Sequence, residues 1–476
     1  MTQNELSKKS QLGIFGLGVM GKSLSRNFAS KGVELSMYNR HVAGVEENIA
    51  SNFKSEYVVL ADSKAFDNLS SFVTSIQTPR KILLMVKAGN TIDIILQLLI
   101  PLLDEGDIII DGGNSHYLDT ERRISQLLES QIHFLGCGIS GGESGALSGP
   151  SLMPGGNSNA YKEVKEYLEI IAAKDKTGQP CCSYIGSGGS GNFVKTIHNG
   201  IEYVEMQLLS EVYFIYKKAG KTTIETAEIL DGWKESVDNF LLDITVTILR
   251  TFEKGEPLLE KVLDKAGNKG TGNWSAISST ELGVPSTLIT SSLYARYIST
   301  FKEMRTHLSE TYEKEDRPFQ VDDTDLLEAY KLARIINHYQ GFALLKEAST
   351  SMSYNLSLSE LARIWTNGCI IRSELMEHLV SILKIDDNIL LSSELIPEIK
   401  QLKPSLTKIV AQSISSEIAI PCFSEALNFF NGITENQLPA NLIQAQRDCF
   451  GAHTYRRNDE RDGVSHHTNW GNNDEN

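Results

Sequence analysis

GIFGLGVMG, residues 13–21, decides the fold. Gly16, Gly18 and Gly21 follow a short apolar run and open a helical pattern. Glycines at this spacing allow a tight turn and the close approach of a pyrophosphate, which the free N–H groups and dipole of the helix N-terminus stabilise. By itself G-x-G-x-x-G also fits a simple glycine turn. Its strand–turn–helix setting, with a second strand at the right distance, favours a dinucleotide site that includes Leu17, Val19 and Met20 in the turn.

Further apolar runs end in glycine or polar residues: VELSMYNR (33–40), KILLMVKAG (81–89), GDIIIDGGN (106–114) and IHFLGCGIS (132–140). Alternating with helical patterns, they predict an α/β, Rossmann-like domain with a doubly wound parallel sheet over residues 1–190. From about residue 191 the strand-like runs give way to long helical ones, such as FVKTIHNGIEYVEMQLLSEVYFIYKKAG (193–220) and DLLEAYKLARIINHYQGFALLKEAS (325–349). Residues 191–450 therefore read as a large all-α domain. GSGGSGN (186–192) reads as a flexible joint that can initiate the first long helix, and 451–476, polar and rich in His and Asn, as a tail.

Where an NAD-binding sheet normally offers Asp or Glu to the ribose hydroxyls, at the end of the second strand, this chain has Asn39, Arg40 and His41. An arginine without a competing carboxylate suits a 2′-phosphate, so NADP is the expected cofactor. His41 either adds charge to that site or fills a loop. Val86, Lys87 and Ala88 of MVKAG, and Asn114 of DGGNS, lie at strand ends, where a doubly wound sheet holds its ligands.

The 476 residues carry a formal net charge of −15, which argues against a general nucleic-acid or membrane-surface binder. An anionic ligand must then be met by a local cationic cluster. The N-terminal MTQNELSKKSQ lacks the apolar core of a signal peptide, and no run has the length of a membrane span, so the expected location is cytoplasmic. The six cysteines show no metal spacing and read as reduced thiols.

NFVKTIHNGIEY (192–203) sets Lys195, His198, Asn199, Glu202 and Tyr203 into an otherwise apolar run. Steps of three, four, seven and eight from Lys195 place them on one helix face. A solvated face is the ordinary reason for a Lys…Glu pair, but the surrounding apolar residues argue for burial. Gly200 costs about 1 kcal/mol of helix propensity relative to Ala. A close backbone approach would justify it.

The chain resembles the decarboxylating 6-phosphogluconate dehydrogenases from about residue 11 to residue 470. The shared motifs are GLGVMG, YNR, MVKAG, DGGNS, SGGESGALSGPSLMPGG, FVKTIHNGIEY, AGNKGTGNW, NGCIIRS, LPANLIQAQRDCFGAHTY and HTNW. The resemblance implies oxidation of 6-phosphogluconate at C3 by NADP⁺, loss of CO₂ and release of ribulose 5-phosphate in the oxidative pentose phosphate pathway. It makes Lys195 the general base and Glu202 the acid that protonates C1 of the enediol. A neutral lysine requires burial or nearby cations, and a protonated glutamate a partly apolar site.

By the same resemblance, Asn114, Ser140, Gly141, Gly142, His198, Asn199 and Tyr203 bind substrate. Lys269, Arg296 and Arg447 take its phosphate, with His453 alongside. The tail reaches across a homodimer into the partner's active site. Departures from the family pattern stand at His41, Asn192, Thr196, Val204, Glu205, Asn268, Asn273 and Arg456. Two other readings stay open: a β-hydroxyacid dehydrogenase for a smaller acid, which needs neither Glu202 nor the phosphate cluster, and a non-catalytic sugar-phosphate or nucleotide sensor.

Overall fold

The computed structural model describes residues 8–267, 270–312, 319–461 and 463–471. It divides into two compact units, residues 1–426 and 427–476.

The first unit begins with a seven-stranded sheet: β1 (Leu12–Phe15), β2 (Leu35–Tyr38), β3 (Lys64–Phe66), β4 (Lys81–Leu84), β5 (Ile108–Asp111), β6 (His133–Ser140) and β7 (Ser151–Gly156), in the order β3-β2-β1-β4-β5-β6-β7. Its helices are α1 (Val19–Ser30), α2 (Ile49–Glu56), α3 (Leu69–Thr74), α4 (Asn90–Leu99), α5 (Tyr117–Leu128), α6 (Gly142–Ser148) and α7 (Ser158–Ile171). Strands β1, β4 and β5 are buried along their whole length, as continuous apolar runs demand when helices cover both faces of a sheet. Successive side chains alternate between faces, so Ile14 packs with Leu24 and Phe28 on one side and Phe15 with Ile82 and Ile92 on the other.

The parallel part matches the sequence expectation, whereas β7 does not: it pairs antiparallel with β6, Ser140 opposite Ser151 and Leu135 opposite Gly156. SLMPGG hides this strand because Pro154 and two glycines interrupt its apolar pattern. The proline is tolerated at a sheet edge, where a missing N–H costs no ladder bond.

The helical part comprises α8 (Ser190–Lys218), α9 (Thr223–Trp233), α10 (Phe240–Leu249), α11 (Thr271–Glu281), α12 (Thr287–Thr300), α13 (Lys302–Thr311), α14 (Asp323–Ser351), α15 (Leu358–Ile364), α16 (Glu374–Ile382) and α17 (Leu395–Ser415). A two-residue strand pair, Phe252–Glu253 with Glu256–Pro257, interrupts it. Helix α8 is buried on nearly every side and packs on β6, β7, α11, α12 and α14. An internal ion pair ties it to α14: Arg334 Nε lies 3.1 Å from both oxygens of Glu205, which also accepts from the Tyr330 hydroxyl at 3.3 Å. Glu205, a departure from the family pattern, is thus part of the core.

The joint before α8 is tightly packed. A Cβ on Gly186 would sit 2.4 Å from the Tyr354 carbonyl oxygen, and one on Gly189 2.4 Å from that of Tyr117. These glycines are there for close backbone approach rather than freedom of movement.

Helix α18 (Pro421–Ile433) runs across the boundary between the units, and α19 (Ala440–Gly451) lies within the second. There the buried Asp448 accepts from the backbone N–H groups of Thr454 (2.9 Å) and Thr468 (3.0 Å) and from the Trp470 indole (2.8 Å). His467 Nδ1 lies 2.9 Å away. One carboxylate therefore ties the tail to the end of α19, and these partners hold its carboxyl well below the usual aspartate range.

Candidate functional site

The turn after β1 is shaped for a dinucleotide. Gly16 has φ +99°, and a Cβ there would meet the Met85 carbonyl oxygen at 2.7 Å; one on Gly21 would fall 2.0 Å from the Gly16 carbonyl oxygen. These two glycines bring α1 hard against the ends of β1 and β4. A Cβ on Gly18 would meet nothing within 4 Å, so space lies open at the helix N-terminus, where no side chain caps the N–H groups. Leu17 is buried, while Val19 is exposed and Met20 half-buried at the first turn. This open, uncapped terminus fits a pyrophosphate.

At the end of β2, the Leu17 N–H donates to Asn39 Oδ1 at 3.2 Å, joining the glycine turn to the YNR motif. Arg40 and His41 are exposed beyond it. The premise that no carboxylate competes for Arg40 does not hold. A backbone bridge between Val42 and Glu46 turns the chain back, and Glu46 meets Arg40 Nη2 at 2.8 Å and Asn39 Nδ2 at 2.9 Å. A carboxylate six residues downstream was invisible to a reading confined to the strand end. The guanidinium still fits a 2′-phosphate, provided that Glu46 yields it.

Val86, Lys87 and Ala88 follow β4, with Lys87 exposed, and Asn114 is exposed after β5. The loop holding Asn114 is braced from within. Buried Asp111 accepts from the Gly113 N–H at 2.9 Å and the Ser115 hydroxyl at 2.6 Å, and burial pushes its carboxyl up to about 6. Asn192, another departure, bridges this loop to α8: its Oδ1 accepts from Thr120 at 2.8 Å and its Nδ2 donates to the Gly113 carbonyl at 3.5 Å.

Helix α8 reaches the sheet through glycines. A Cβ on Gly138 would lie 2.5 Å from Lys195 Cβ, one on Gly136 2.0 Å from Asn192 Oδ1, and one on Gly155 2.4 Å from Ser190 Oγ. Without side chains at these points, β6 and β7 let the first turns of α8 settle on them, which fixes where Lys195 stands. On its other flank Gly200 faces α11. Its Cβ would be 3.0 Å from Ser275 Oγ, and Ser275 donates to the Thr196 carbonyl at 2.7 Å. The close neighbours of Gly200 are thus side chains, Ser275 and Ile289, rather than the backbone that its place in the helix suggested.

Lys195, His198, Asn199, Glu202 and Tyr203 come together as the helical spacing requires. His198 is fully buried, its Nε2 3.0 Å from Ser140 Oγ and its Nδ1 3.3 Å from both Lys195 Nζ and Asn199 Oδ1. Burial, then the neighbouring lysine, push its pKa well below 6.5, so the ring is neutral near pH 7. Burial likewise lowers Lys195 from 10.5, against the opposing pull of the Glu202 carboxylate. Glu202 keeps a fifth of its side chain exposed and lies 3.7 Å from His198 Nδ1; burial raises its carboxyl above 4.5, opposed by Lys195 and Arg296. Base and acid are each moved toward the protonation state that their proposed roles need.

Ser140 ends β6, and Gly141 and Gly142 follow at positive φ, 114° and 62°. A Cβ on Gly141 would come 2.5 Å from the Gly368 carbonyl oxygen, which packs the NGCIIRS segment against this turn. Arg296 on α12 stacks on Tyr203, its guanidinium 3.5 Å from the ring centroid. Lys269 and Asn268 lie outside the described residues. Arg447, bonded to Gln444 at 3.0 Å, and His453 are both exposed in the second unit. Asp111 and Asp448, which organise loops around candidate residues, escaped the sequence reading. DGGNS and RDCF showed both carboxylates, but only tertiary contacts give them partners. No group of three or more His, Cys, Asp or Glu side chains placed to hold a metal occurs among the described residues.

Comparison with known proteins covers the whole of this architecture. Residues 11–186 match the NAD binding domain of 6-phosphogluconate dehydrogenase, and residues 191–470 the C-terminal domain of 6-phosphogluconate dehydrogenase. The chain is 44% identical to a Bacillus subtilis protein named 6-phosphogluconate dehydrogenase, NADP(+)-dependent, decarboxylating, over 97% of this chain and 99% of that one. It is 42% identical to the decarboxylating 6-phosphogluconate dehydrogenase of Haemophilus influenzae, over 98% and 97%. The Plasmodium falciparum 6-phosphogluconate dehydrogenase, solved in its apo form and in complex with its cofactor NADP+ and its substrate 6-phosphogluconate, superposes with a TM-score of 0.90. It shares 40% identity over 97% of this chain and 100% of that one.

Proposed function

The chain belongs to the 6-phosphogluconate dehydrogenase family, and from that premise we propose that it oxidises 6-phosphogluconate with NADP⁺ to ribulose 5-phosphate and CO₂, as the decarboxylating enzyme of the oxidative pentose phosphate pathway. The observation that carries this reading is the face of α8 on which buried His198 stands between Lys195, 3.3 Å from its Nδ1, and Glu202, 3.7 Å from the same atom, with burial favouring the neutral form of all three.

NADP⁺, when bound at the α1 terminus with its 2′-phosphate near Arg40, supplies the hydride acceptor. Gly16, Leu17, Gly18, Val19, Met20 and Gly21 hold its pyrophosphate side, with Asn39, His41, Val86, Lys87, Ala88 and Asn114 around the rest. Neutral Lys195 takes the C3 hydroxyl proton. The ammonium so formed donates to the new C3 carbonyl and draws the electrons of the C1 carboxylate into an enediol as CO₂ leaves. His198 Nδ1 faces Lys195 at hydrogen-bond distance and can accept from that ammonium. Lys195, neutral again once its proton has passed to the oxygen, takes that hydroxyl proton back as Glu202 delivers a proton to C1 of the enediol, leaving the C2 ketone of the product.

Ser140, Gly141, Gly142, Asn114, His198 and Asn199 orient the sugar acid. Lys269 and Arg296, with Tyr203, take the phosphate end, and Arg447 and His453 join them from the C-terminal region of a partner copy, which gives an acidic chain the local cations that an anionic substrate needs. The division of labour is 1–190 for the cofactor, 191–450 for catalysis and dimerisation, and 451–476 as a segment that enters a partner's site. Large apolar side chains are exposed at Ile298 on α12, at Phe301 between the two helices and at Met304 and Leu308 on α13, and they support a surface covered by a second copy in a homodimer. The cytoplasm is the compartment that fits the reduced cysteines, all six of them free.

Reduced-nicotinamide absorbance and released CO₂, followed together with 6-phosphogluconate and NADP⁺, test the reading. Equal yields are expected. NADPH without CO₂ would point to a simple hydroxyacid dehydrogenase, and binding without turnover to a sensor.

A further inference from the structure

The ion pair at the end of β2 bears on which cofactor the site prefers. Arg40 is the one cation of the YNR segment, and it is engaged: Nη2 lies 2.8 Å from Glu46 Oε1, and Nε lies 3.2 and 3.3 Å from the two carboxylate oxygens. Asn39 Nδ2 donates to the same carboxylate at 2.9 Å. The backbone bridge between Val42 and Glu46, 2.9 and 2.8 Å in its two hydrogen bonds, closes this arrangement into a small loop. Glu46 therefore presents an anion to the fork of Arg40 in the way that a phosphate would. These partners hold its carboxyl below 4.5, so it is ionised at neutral pH.

We propose that Glu46 is a specificity-determining residue that competes with the 2′-phosphate of NADP⁺ for Arg40 and so narrows the discrimination between NADP⁺ and NAD⁺. The inference rests on the cofactor reading above and deepens it. Either Glu46 releases Arg40 when the phosphate arrives, or the two anions remain side by side; both outcomes weaken NADP⁺. NAD⁺ brings no phosphate. Its ribose 2′-hydroxyl can instead donate to a carboxylate near the end of the second strand, the role acidic side chains play in NAD-binding sheets. A single carboxylate thus acts against one cofactor and not the other.

The test is direct binding by titration calorimetry of NADP⁺, NAD⁺ and 2′,5′-ADP to wild-type, Glu46→Gln, Arg40→Ala and doubly substituted protein. Glu46→Gln should tighten NADP⁺ and 2′,5′-ADP about three- to tenfold, the scale of an exposed ion pair plus relief of like-charge repulsion, and leave NAD⁺ unchanged or weaker. That gain should shrink in the Arg40→Ala background and as ionic strength rises. Unchanged or weakened NADP⁺ binding in Glu46→Gln, with wild-type protein binding both dinucleotides, overturns this inference alone. Wild-type protein that binds neither dinucleotide overturns the cofactor reading, and this inference with it.

Discussion

The buried face of α8 and the exposed rim at the end of β2 both hold a cation close to a carboxylate, yet they are built on opposite terms. At α8, Lys195 is buried against Gly138 of β6 and Glu202 keeps only a fifth of its side chain exposed, and desolvation is the largest influence on each: it lowers the lysine and raises the glutamate. At the rim, Arg40 lies in solvent beside a partly exposed Glu46 and direct hydrogen bonding leads, raising the arginine and lowering the glutamate. Burial turns a base and an acid toward neutrality and proton transfer, whereas exposure turns a similar pair into a charged clasp. The first arrangement suits chemistry and the second selection.

Changes at α8 should therefore act on rate and changes at the rim on affinity. Lys195→Met should have the largest effect, lowering NADPH formation about 10³-fold or more while calorimetry still registers 6-phosphogluconate binding. Glu202→Gln should lower turnover by about 10²-fold. It should also shift the pH dependence in a defined direction. The Glu202 carboxylate favours the ammonium form of Lys195, so without it the lysine deprotonates at lower pH. The limb of kcat/KM that rises as Lys195 loses its proton then moves to more acidic pH.

Gly138→Ala probes placement rather than chemistry. Its Cβ would fall 2.5 Å from Lys195 Cβ, and overpacking of this kind costs about 1–3 kcal/mol. A lowered Tm together with a lowered kcat is expected, while a stable variant of normal rate would separate the strand glycines from the catalytic geometry. Arg40→Ala should be milder still, weakening NADP⁺ about tenfold by loss of a charge-assisted contact with little effect on NAD⁺. Equal losses for both cofactors would erase the contrast between rim and interior.

The same contrast explains what the sequence disclosed. The α8 residues lie within nine positions of one helix, so spacing alone brought them to one face, and Gly200 announced a contact that Ser275 supplies. The glycine turn after β1 was legible because its three glycines stand within six residues of one another, although the contacts that require Gly16 come from Met85 and Val86 on another strand end. Contacts closed by tertiary structure were not. Glu46 reaches Arg40 through a turn that holds Gly44 at φ +74°, but the glycine does not tell which side chains the turn brings together; Asn192 braces the Asn114 loop from 79 residues away, and Asp448 gathers the tail through partners as far on as Trp470. Strand β7 was masked by its proline and glycines, and the joint before α8 looked loose because glycine composition does not distinguish freedom from crowding.

The most direct test of the α8 face as the seat of both base and acid is the ribulose 5-phosphate made in D₂O, examined at C1 by proton NMR for wild-type and Glu202→Gln protein. The account predicts one solvent-derived deuterium in a single configuration from the wild type, and slowed product with both configurations from the variant, because the enediol is then protonated without a fixed donor. A Glu202→Gln variant that kept a single configuration at the wild-type rate would contradict it.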